Sequence, residues 1–461
     1  MTHCIRSLPK ISVLTFLLSQ IIFTPAAHAA GFQLNEISPS LQGAATAGAA
    51  VAENDVSSMF SNPATLSSLI ENQAYLGGSE IMPHIKVYNA SAIHTVNVPG
   101  APDSSITAPV QGSSYQNSIS PSAFAPNAYL SWRFNQKLVA GLGIVAPFGL
   151  TTGYNSNSVL RFAADESSVR TININPAISY EVNDKFSVGV GLQAQYIKAS
   201  FSNYNGPYTG TGLDTFFASN LPTRLNGSSW GFGYTIGAVY KPNEYTHFGL
   251  GFRSQVSEAL DGSGRQYTSP GPVVPAPSQD FLFNAQTSID ASIKTPAVLT
   301  LSAARDIGKL TLKASAQVNF WYTFNQLSIY MPQGFATNST LQTDWKNSWL
   351  GALGADYRVT PAWTVRGGVA YDQTPTRDTY RDPRIPDTDR VWLALGTSYK
   401  ATKHLSFDGA YTHLFMSNQT VNVTQSTGTN AVSTLPLEVN QVHANYKGSA
   451  DIVALAVRYS Y

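Results

Sequence analysis

The sequence predicts an all-β fold, a transmembrane antiparallel β-barrel of about 14 strands with an N-terminal plug inside the lumen. From Phe186 to Tyr196 every second residue is apolar and the residues between are small or polar, so this strand has one apolar and one polar face. Only 12% of the residues are charged, about half the usual share. Together with a secretion signal, these features indicate lipid outside the barrel and water inside it.

Residues 1–29 are predicted to be a secretory signal peptide. Arg6 and Lys10 precede the apolar run 11–23, and small residues lead to a cleavage position after Ala29. The run is too short to cross a bilayer. Cleavage leaves 26 of the 28 basic residues beside 27 acidic ones, a net charge near −1, so charge gives no reason to expect a nucleic-acid partner.

Motifs that carry chemistry are few. The single cysteine, Cys4, lies in the signal, so the mature chain has no disulfide and no thiol nucleophile. The eight histidines show no metal-ligand cluster, and the Gly-x-Ser-x-Gly pattern at 227–231 opens a strand instead of joining a strand to a helix. We therefore expect no catalytic residue, no metal and no cofactor.

Fourteen strands are predicted after residue 70, from alternating polarity and from the turn residues that bound them. An even number is expected for an outer-membrane barrel. The predicted spans are 73–87, 121–134, 137–146, 170–182, 185–198, 228–241, 245–258, 286–305, 309–322, 347–358, 362–372, 391–400, 404–416 and 448–461.

Connections between these strands alternate in length. Short turns such as Asn183–Lys185 and Ala401–Lys403 have suitable turn chemistry, and they alternate with long segments rich in Ser, Gly, Pro and Asn, as expected for periplasmic turns and extracellular loops. The chain is therefore predicted to lie in the bacterial outer membrane, in contact with its lipid and lipopolysaccharide. A soluble β-sandwich is disfavoured because so many long strands would leave wide apolar edges. The long segments are 88–120, 199–227, 259–285, 323–346, 373–390 and 417–447.

Residues 30–70 lack the strand pattern and precede the predicted barrel, residues 71–461. They are rich in glycine and alanine and are too few to build a hydrophobic core of their own. The simplest placement is inside the barrel as a plug, and an exposed periplasmic tail is the alternative.

Several segments resemble the FadL-type long-chain fatty acid transporters of the outer membrane. They begin with Ala30–Glu36 and Ser61–Ala64, continue with Pro147–Leu150 and Trp230–Gly233, and end with Asp387–Trp392. The resemblance covers nearly the whole mature chain. It implies a fourteen-stranded barrel closed by a small N-terminal hatch.

The resemblance also implies roles for particular residues. Phe32 is expected to occupy the internal ligand pocket until the hatch moves; a role only in anchoring the plug is the alternative. The triplet Asn62, Pro63 and Ala64 is expected in the hatch, against an irregular third strand. In the segment Pro147, Phe148 and Gly149, proline removes a ladder donor and glycine relaxes the backbone. The resemblance implies that this segment is a kink that opens the wall sideways; an ordinary strand terminus is the alternative.

Apolar residues in two long loops are predicted to form an exposed groove that captures ligand. In the first loop they have the spacing of one face of a short helix. Packing of the loops against themselves is the alternative. The residues are Leu213, Phe216, Phe217 and Leu221 in the first loop and Phe281 and Phe283 in the next.

The two basic residues that hold the acyl carboxylate in this family are not reproduced. The first aligns with Asn203 and the second falls near Leu341. Lys198 and Lys346 lie nearby and are possible carboxylate partners. This departure from the family favours a neutral hydrophobe as the ligand, such as the aromatic hydrocarbons carried by some relatives.

The predicted function is passive uptake of long-chain fatty acids or related hydrophobic molecules through a plugged barrel with a lateral wall opening. A channel for neutral aromatic hydrocarbons is the alternative within the family. An outer-membrane hydrolase would need a serine, a histidine and an acid that the sequence does not assemble. An open polar porin would lack the plug.

Overall fold

The computed structural model describes residues 31–97, 105–205, 221–268, 283–330, 339–427 and 438–461. Across these ranges, fourteen antiparallel strands form a closed barrel, which confirms the predicted fold class. The strands are β1 (Gln73–Asn97), β2 (Ala123–Arg133), β3 (Leu138–Val145 and Gly149–Gly153), β4 (Glu166–Asn183), β5 (Phe186–Asn205), β6 (Leu221–Asn243), β7 (Thr246–Arg253 and Val256–Thr268), β8 (Phe283–Thr295 and Val298–Ile307), β9 (Leu310–Asn319 and Gln326–Tyr330), β10 (Ser339–Gln342 and Ser348–Arg358), β11 (Trp363–Asp372), β12 (Arg390–Lys400), β13 (Leu405–Met416 and Gln419–Thr427) and β14 (Glu438–Ser460).

The barrel closes where β1 pairs with β14, from Gln73 opposite Ser460 to Val96 opposite Glu438. A short strand, Ser105–Pro109, pairs with the outer end of β1. No helix in the described part of the chain is long and apolar enough to cross a membrane. The helical segments are the α-helix Pro39–Gln42 and the 3-10 helices Val56–Phe60, Pro63–Ser68, Trp321–Thr323 and Asp378–Tyr380.

Side chains alternate across the wall as the sequence predicts. On β5, Leu192 is 65% exposed on the outer surface, whereas its neighbours Gln193 and Gln195 face the lumen and are buried. The predicted short turns all join neighbouring strands; they lie at 135–137, 183–185, 242–244, 306–309, 360–362 and 401–403. The predicted signal peptide, residues 1–29, lies outside the described residues.

Several strands are longer than the sequence predicts. Residues 88–97, 259–268 and 438–447 were expected in loops, yet they continue β1, β7 and β14 with regular pairing. Beyond the lipid the outer face becomes mostly polar, while inner-face residues such as Ala90, Ala92 and Ala444 are buried in an apolar cluster, so the lipid-facing pattern used to predict the strands ends there. The backbone hydrogen-bond ladder has no such limit, so pairing continues beyond the last lipid-facing residue.

Residues 31–70 lie in the lumen, and we call them the hatch. Most of them are buried. Serine side chains on the inner wall accept hydrogen bonds from hatch amides: Gly48 N–H donates to Ser315 Oγ at 2.9 Å and Ala50 N–H donates to Ser302 Oγ at 3.0 Å. The wall therefore satisfies hatch backbone groups that have no helix or sheet partner.

Two glycines of the wall let the hatch approach it closely. A Cβ atom at Gly189 of β5 would lie 2.5 Å from the backbone of Pro63 and Ala64, and one at Gly237 of β6 would lie 1.9 Å from Asn62 Oδ1. Since neither position has room for a methyl group, the seating of the hatch depends on glycine at both.

We expect Gly189→Ala to loosen the hatch while the barrel stays folded, because the added methyl group would overlap hatch backbone. Planar-bilayer recordings should show more frequent channel openings than in the wild type. Gly367→Ala is the matched control, since its Cβ would have no neighbour closer than 3.6 Å. Equal conductance in both variants would contradict the prediction.

Candidate functional site

Phe32, at the start of the hatch, lies in a pocket formed by four aromatic rings. Its side chain is 1% exposed. The ring centroids of Trp321, Phe324, Trp345 and Phe148 lie 4.7, 5.5, 5.8 and 5.9 Å from that of Phe32. Three of the four contacts are edge-to-face, the geometry that aromatic rings prefer. We call this arrangement the ring pocket.

Aliphatic side chains of the surrounding strands extend the ring pocket. They include Leu150, Ile197, Leu260 and Ile293, which belong to the same buried cluster. The preceding residue, Gly31, is required by two features: its φ is +67°, and a Cβ there would lie 2.4 Å from Trp345. The lumen therefore contains an apolar site that the hatch itself fills.

A short strand of the hatch pairs with the kinked segment of β3. Gly149 N–H donates to Phe32 O and Leu34 N–H donates to Pro147 O, both at 2.8 Å, and Gln33 lies opposite Phe148. The kink itself is clear from burial: residues 149–152 are all buried instead of alternating, because the chain bends into the lumen after Ala146.

The wall has an interruption beside this kink. Pairing between β2 and β3 stops at Asn127 opposite Val145. Above that point Ala123–Pro126 pair only with β1, and Gly149–Gly153 pair only with β4. No described strand pairing crosses this interval of about 13 Å along the strand.

The interruption is bounded on its extracellular side. There, Gly153 N–H donates to Ile119 O at 2.7 Å. Pro147 has no N–H to offer the ladder. Phe148 N–H donates instead to Thr171 Oγ1 at 2.9 Å, so the backbone at the kink is satisfied inside the barrel and not by a neighbouring wall strand.

Asn62, Pro63 and Ala64 lie elsewhere in the lumen. Asn62 caps the 3-10 helix Pro63–Ser68 by accepting from Ala64 N–H at 3.0 Å, and its Nδ2 donates to Ala50 O at 2.8 Å and to Ala238 O at 3.0 Å. The triplet therefore packs on β5 and β6. The expected placement of the triplet against the third strand stays a prediction: Leu66 of the same 3-10 helix lies next to Gly141 of β3, while the kinked segment of that strand pairs with Phe32–Leu34.

An ion-pair cluster holds the start of the hatch. Gly31 N–H donates to Asp387 Oδ2 at 2.8 Å, and Thr374 Oγ1 donates to the same oxygen at 2.5 Å. Arg390 Nη2 lies 3.2 Å from Asp372 and 3.7 Å from Asp387, and all three side chains are fully buried. Burial raises the pKa of Asp387, and Arg390 opposes that rise.

The possible carboxylate partners do not meet at the ring pocket. Lys198 is exposed on β5, while its neighbours Ile197 and Ala199 face the lumen. Lys346 is half-buried beside Trp345, and its backbone N–H donates to Pro375 O at 3.0 Å. Leu341 packs against the apolar cluster, so the position aligned with a basic residue is apolar here.

The proposed loop groove stays a prediction. Leu213, Phe216, Phe217 and Phe281 lie outside the described residues. Leu221 and Phe283 begin β6 and β8, and their side chains also lie outside the described part of the chain.

One histidine does approach two carboxylates, contrary to the expectation of no such cluster. Glu53, His247 and Asp306 have potential ligand atoms within 4.8 Å of one another. Lys241 Nζ lies 2.5 Å from Glu53, so the hatch carboxylate already has a cationic partner. The ion pair between Glu53 and Lys241 joins the hatch to β6. His247 of β7 and Asp306 of β8 lie beside it.

The family model described as outer membrane protein transport protein (OMPP1/FadL/TodX) matches residues 20–461. The chain belongs to this family.

Relatives of this FadL-family chain align along nearly their full length. Outer membrane protein P1 of Haemophilus influenzae is 29% identical over 456 residues, which cover 93% of this chain and 96% of that protein. The long-chain fatty acid transport protein of Escherichia coli (strain K12) is 25% identical, with 88% and 91% covered. A crystal structure of a Pseudomonas aeruginosa FadL homologue superposes with a TM-score of 0.79 at 26% identity, covering 94% of this chain and 100% of that one.

Glu36 gives the hatch a titratable group near neutral pH. Burial raises its pKa to about 7, against 4.5 in an exposed glutamate, and Arg390 partly opposes the rise. The seated hatch therefore keeps its proton where the released hatch loses it. As a result, hatch stability falls as the pH rises from about 4.5 to about 7, by up to about 3 kcal/mol.

We expect the wild-type hatch to open more often at pH 8 than at pH 5, and Glu36→Gln to reduce that difference strongly. Channel openings in planar bilayers at the two pH values are the measurement. Glu71→Gln, which changes an exposed carboxylate at the end of the hatch, should behave as the wild type. A pH response unchanged in Glu36→Gln would exclude Glu36 as its source.

Proposed function

We propose that this chain mediates passive uptake of long-chain fatty acids or related hydrophobic molecules across the outer membrane. One observation carries the proposal: the hatch strand that fills the ring pocket with Phe32 is the same strand that pairs with the kink beside the wall interruption. A ligand that displaces Phe32 therefore also releases Pro147–Gly149.

The proposed lateral route follows from the apolar nature of the ligand. A lumen filled with water would oppose an apolar solute, whereas an apolar pocket opening sideways delivers it to the membrane. Burying a sixteen-carbon tail yields about 10 kcal/mol at about 0.8 kcal/mol per methylene, before entropy losses. Such binding would trap the ligand, so release requires a hatch movement that lowers its affinity.

Each predicted site residue has a place in this proposal. Phe32 occupies the ring pocket until a ligand displaces it. Pro147, Phe148 and Gly149 form the edge of the lateral wall opening. Asn62, Pro63 and Ala64 hold the body of the hatch on β5 and β6, so that only its first strand needs to move. The apolar loop residues would concentrate ligand above the pocket.

A channel for aromatic hydrocarbons is the second candidate. The phenyl group of Phe32 is itself a single aromatic ring, and the four rings around it make edge-to-face contacts. A free monoaromatic molecule would find the same contacts once Phe32 had left.

The other classes are disfavoured by geometry. An open porin needs a water-filled lumen, and the hatch fills this one. The Gly-x-Ser-x-Gly stretch lies within β6 and lacks the sharp turn that exposes a nucleophile. We therefore propose transport without catalysis.

Replacing both Pro147 and Gly149 with valine should slow uptake. Valine restores a ladder donor at 147 and favours extended structure at both positions, so the wall beside Phe148 should close. Cells that depend on the protein for uptake of a radiolabelled sixteen-carbon fatty acid provide the assay, at equal surface expression.

Gly153→Val is the matched control, because it lies in the same strand segment and a Cβ there has no neighbour within 4 Å. Its uptake should equal that of the wild type. Unchanged uptake in the double variant would remove the wall interruption from the transport route.

A further inference from the structure

Arg253, at the end of the first segment of β7, is a lumenal cation without a counter-ion. Its guanidinium lies 4.4 Å from the centroid of the Phe60 ring in the hatch. Within the described ranges it has no carboxylate or carbonyl partner. The Arg253 side chain is half-buried, and a cation–π contact does not replace the hydrogen bonds that a guanidinium loses when it leaves water.

Arg253 lines a small cavity between hatch and wall. The cavity measures about 20 Å³, and Gln33, Asn35 and Gln317 also line it. A space of this size holds about one water molecule. It separates the first hatch strand from β7, β8 and β9.

Two residues that line this cavity, Asn35 and Arg253, have side-chain N–H groups without an acceptor among the described residues. Asn35 Oδ1 accepts from Gln33 Nε2 at 3.2 Å and from Gln317 Nε2 at 3.3 Å. Asn35 Nδ2 is buried and has no partner among the described residues. An amide N–H group and a guanidinium therefore border one cavity in which no anion accepts from them.

The cavity lies on the periplasmic side of the ring pocket. Gln33 directly follows Phe32 in the hatch, and Gln317 of β9 precedes Trp321 by four residues and so lies nearer the short turn that begins this strand. It is therefore adjacent to the apolar site and further along the inward route.

We propose that Arg253 and Asn35 form a subsite for the carboxylate of a long-chain acid, an inference that rests on the proposed transport function. An arginine fork matches a carboxylate with two parallel hydrogen bonds, and Asn35 Nδ2 adds a third. Because Gln33 belongs to the strand that carries Phe32, displacement of Phe32 opens the cavity on that side, while Asn35 stays hydrogen-bonded to Gln317 of β9. The carboxylate then binds where this chain supplies a cation, in place of the unmatched positions at Asn203 and Leu341.

Competition binding to the purified, full-length barrel tests this subsite, with a sixteen-carbon fatty acid and its methyl ester as probes. We expect the wild type to prefer the acid by about tenfold to a hundredfold. Arg253→Met keeps an apolar stem against Phe60, so it should abolish the preference and leave the ester affinity unchanged. Arg253→Lys keeps the charge without the fork and should retain part of the preference.

Lys198→Met and Lys346→Met are the matched controls, and both should behave as the wild type. Loss of the acid preference in either control, or its persistence in Arg253→Met, would overturn the assignment. Equal loss of acid and ester affinity in Arg253→Met would instead assign Arg253 to hatch packing. If the wild type binds both probes equally, transport stands and this subsite fails; if the folded wild type binds neither, the proposed function fails.

Discussion

The structure depends on the pairing of every backbone hydrogen-bonding group that faces lipid. A closed barrel achieves this because β1 pairs with β14 and no edge remains. The interruption beside β3 is the exception, and the hatch compensates for it: Phe32 and Leu34 exchange backbone hydrogen bonds with Gly149 and Pro147. The plug and the wall opening are therefore parts of one hydrogen-bonded unit.

The rest of the hatch is held by different forces. Its body packs against wall glycines and is linked to the wall by ion pairs. Arg458 lies 3.5 Å from Asp55 of the hatch and 2.9 Å from Asp408 of the wall. These contacts lie far from Phe32 along the chain. An arrangement with a fixed body and a separately held first strand lets the strand move while the plug remains in place.

The sequence predicted the barrel better than it predicted the lumen. Strand number, turn positions and the outward face followed from alternation, because each depends only on local polarity. Strand ends such as 88–97 were missed, since beyond the membrane the outward face is no longer apolar. The position of Asn62 against β5 and β6, and the convergence of Arg253 with Asn35, depend on residues about 120 to 220 positions apart and have no local signature.

By itself, the sequence determined that this chain crosses a membrane as a β-barrel, because a secretion signal precedes fourteen long strands with one apolar face, and in water so many strands would leave wide apolar edges. It also marked Pro147 and Gly149 as a break, since their backbone constraints are intrinsic. Only the tertiary structure decided what the break does: the hatch strand pairs there and Phe32 enters a ring pocket. Among the described residues, no carboxylate pairs with Arg253 in the lumen. These outcomes depend on how a closed wall positions distant side chains, which no local pattern encodes.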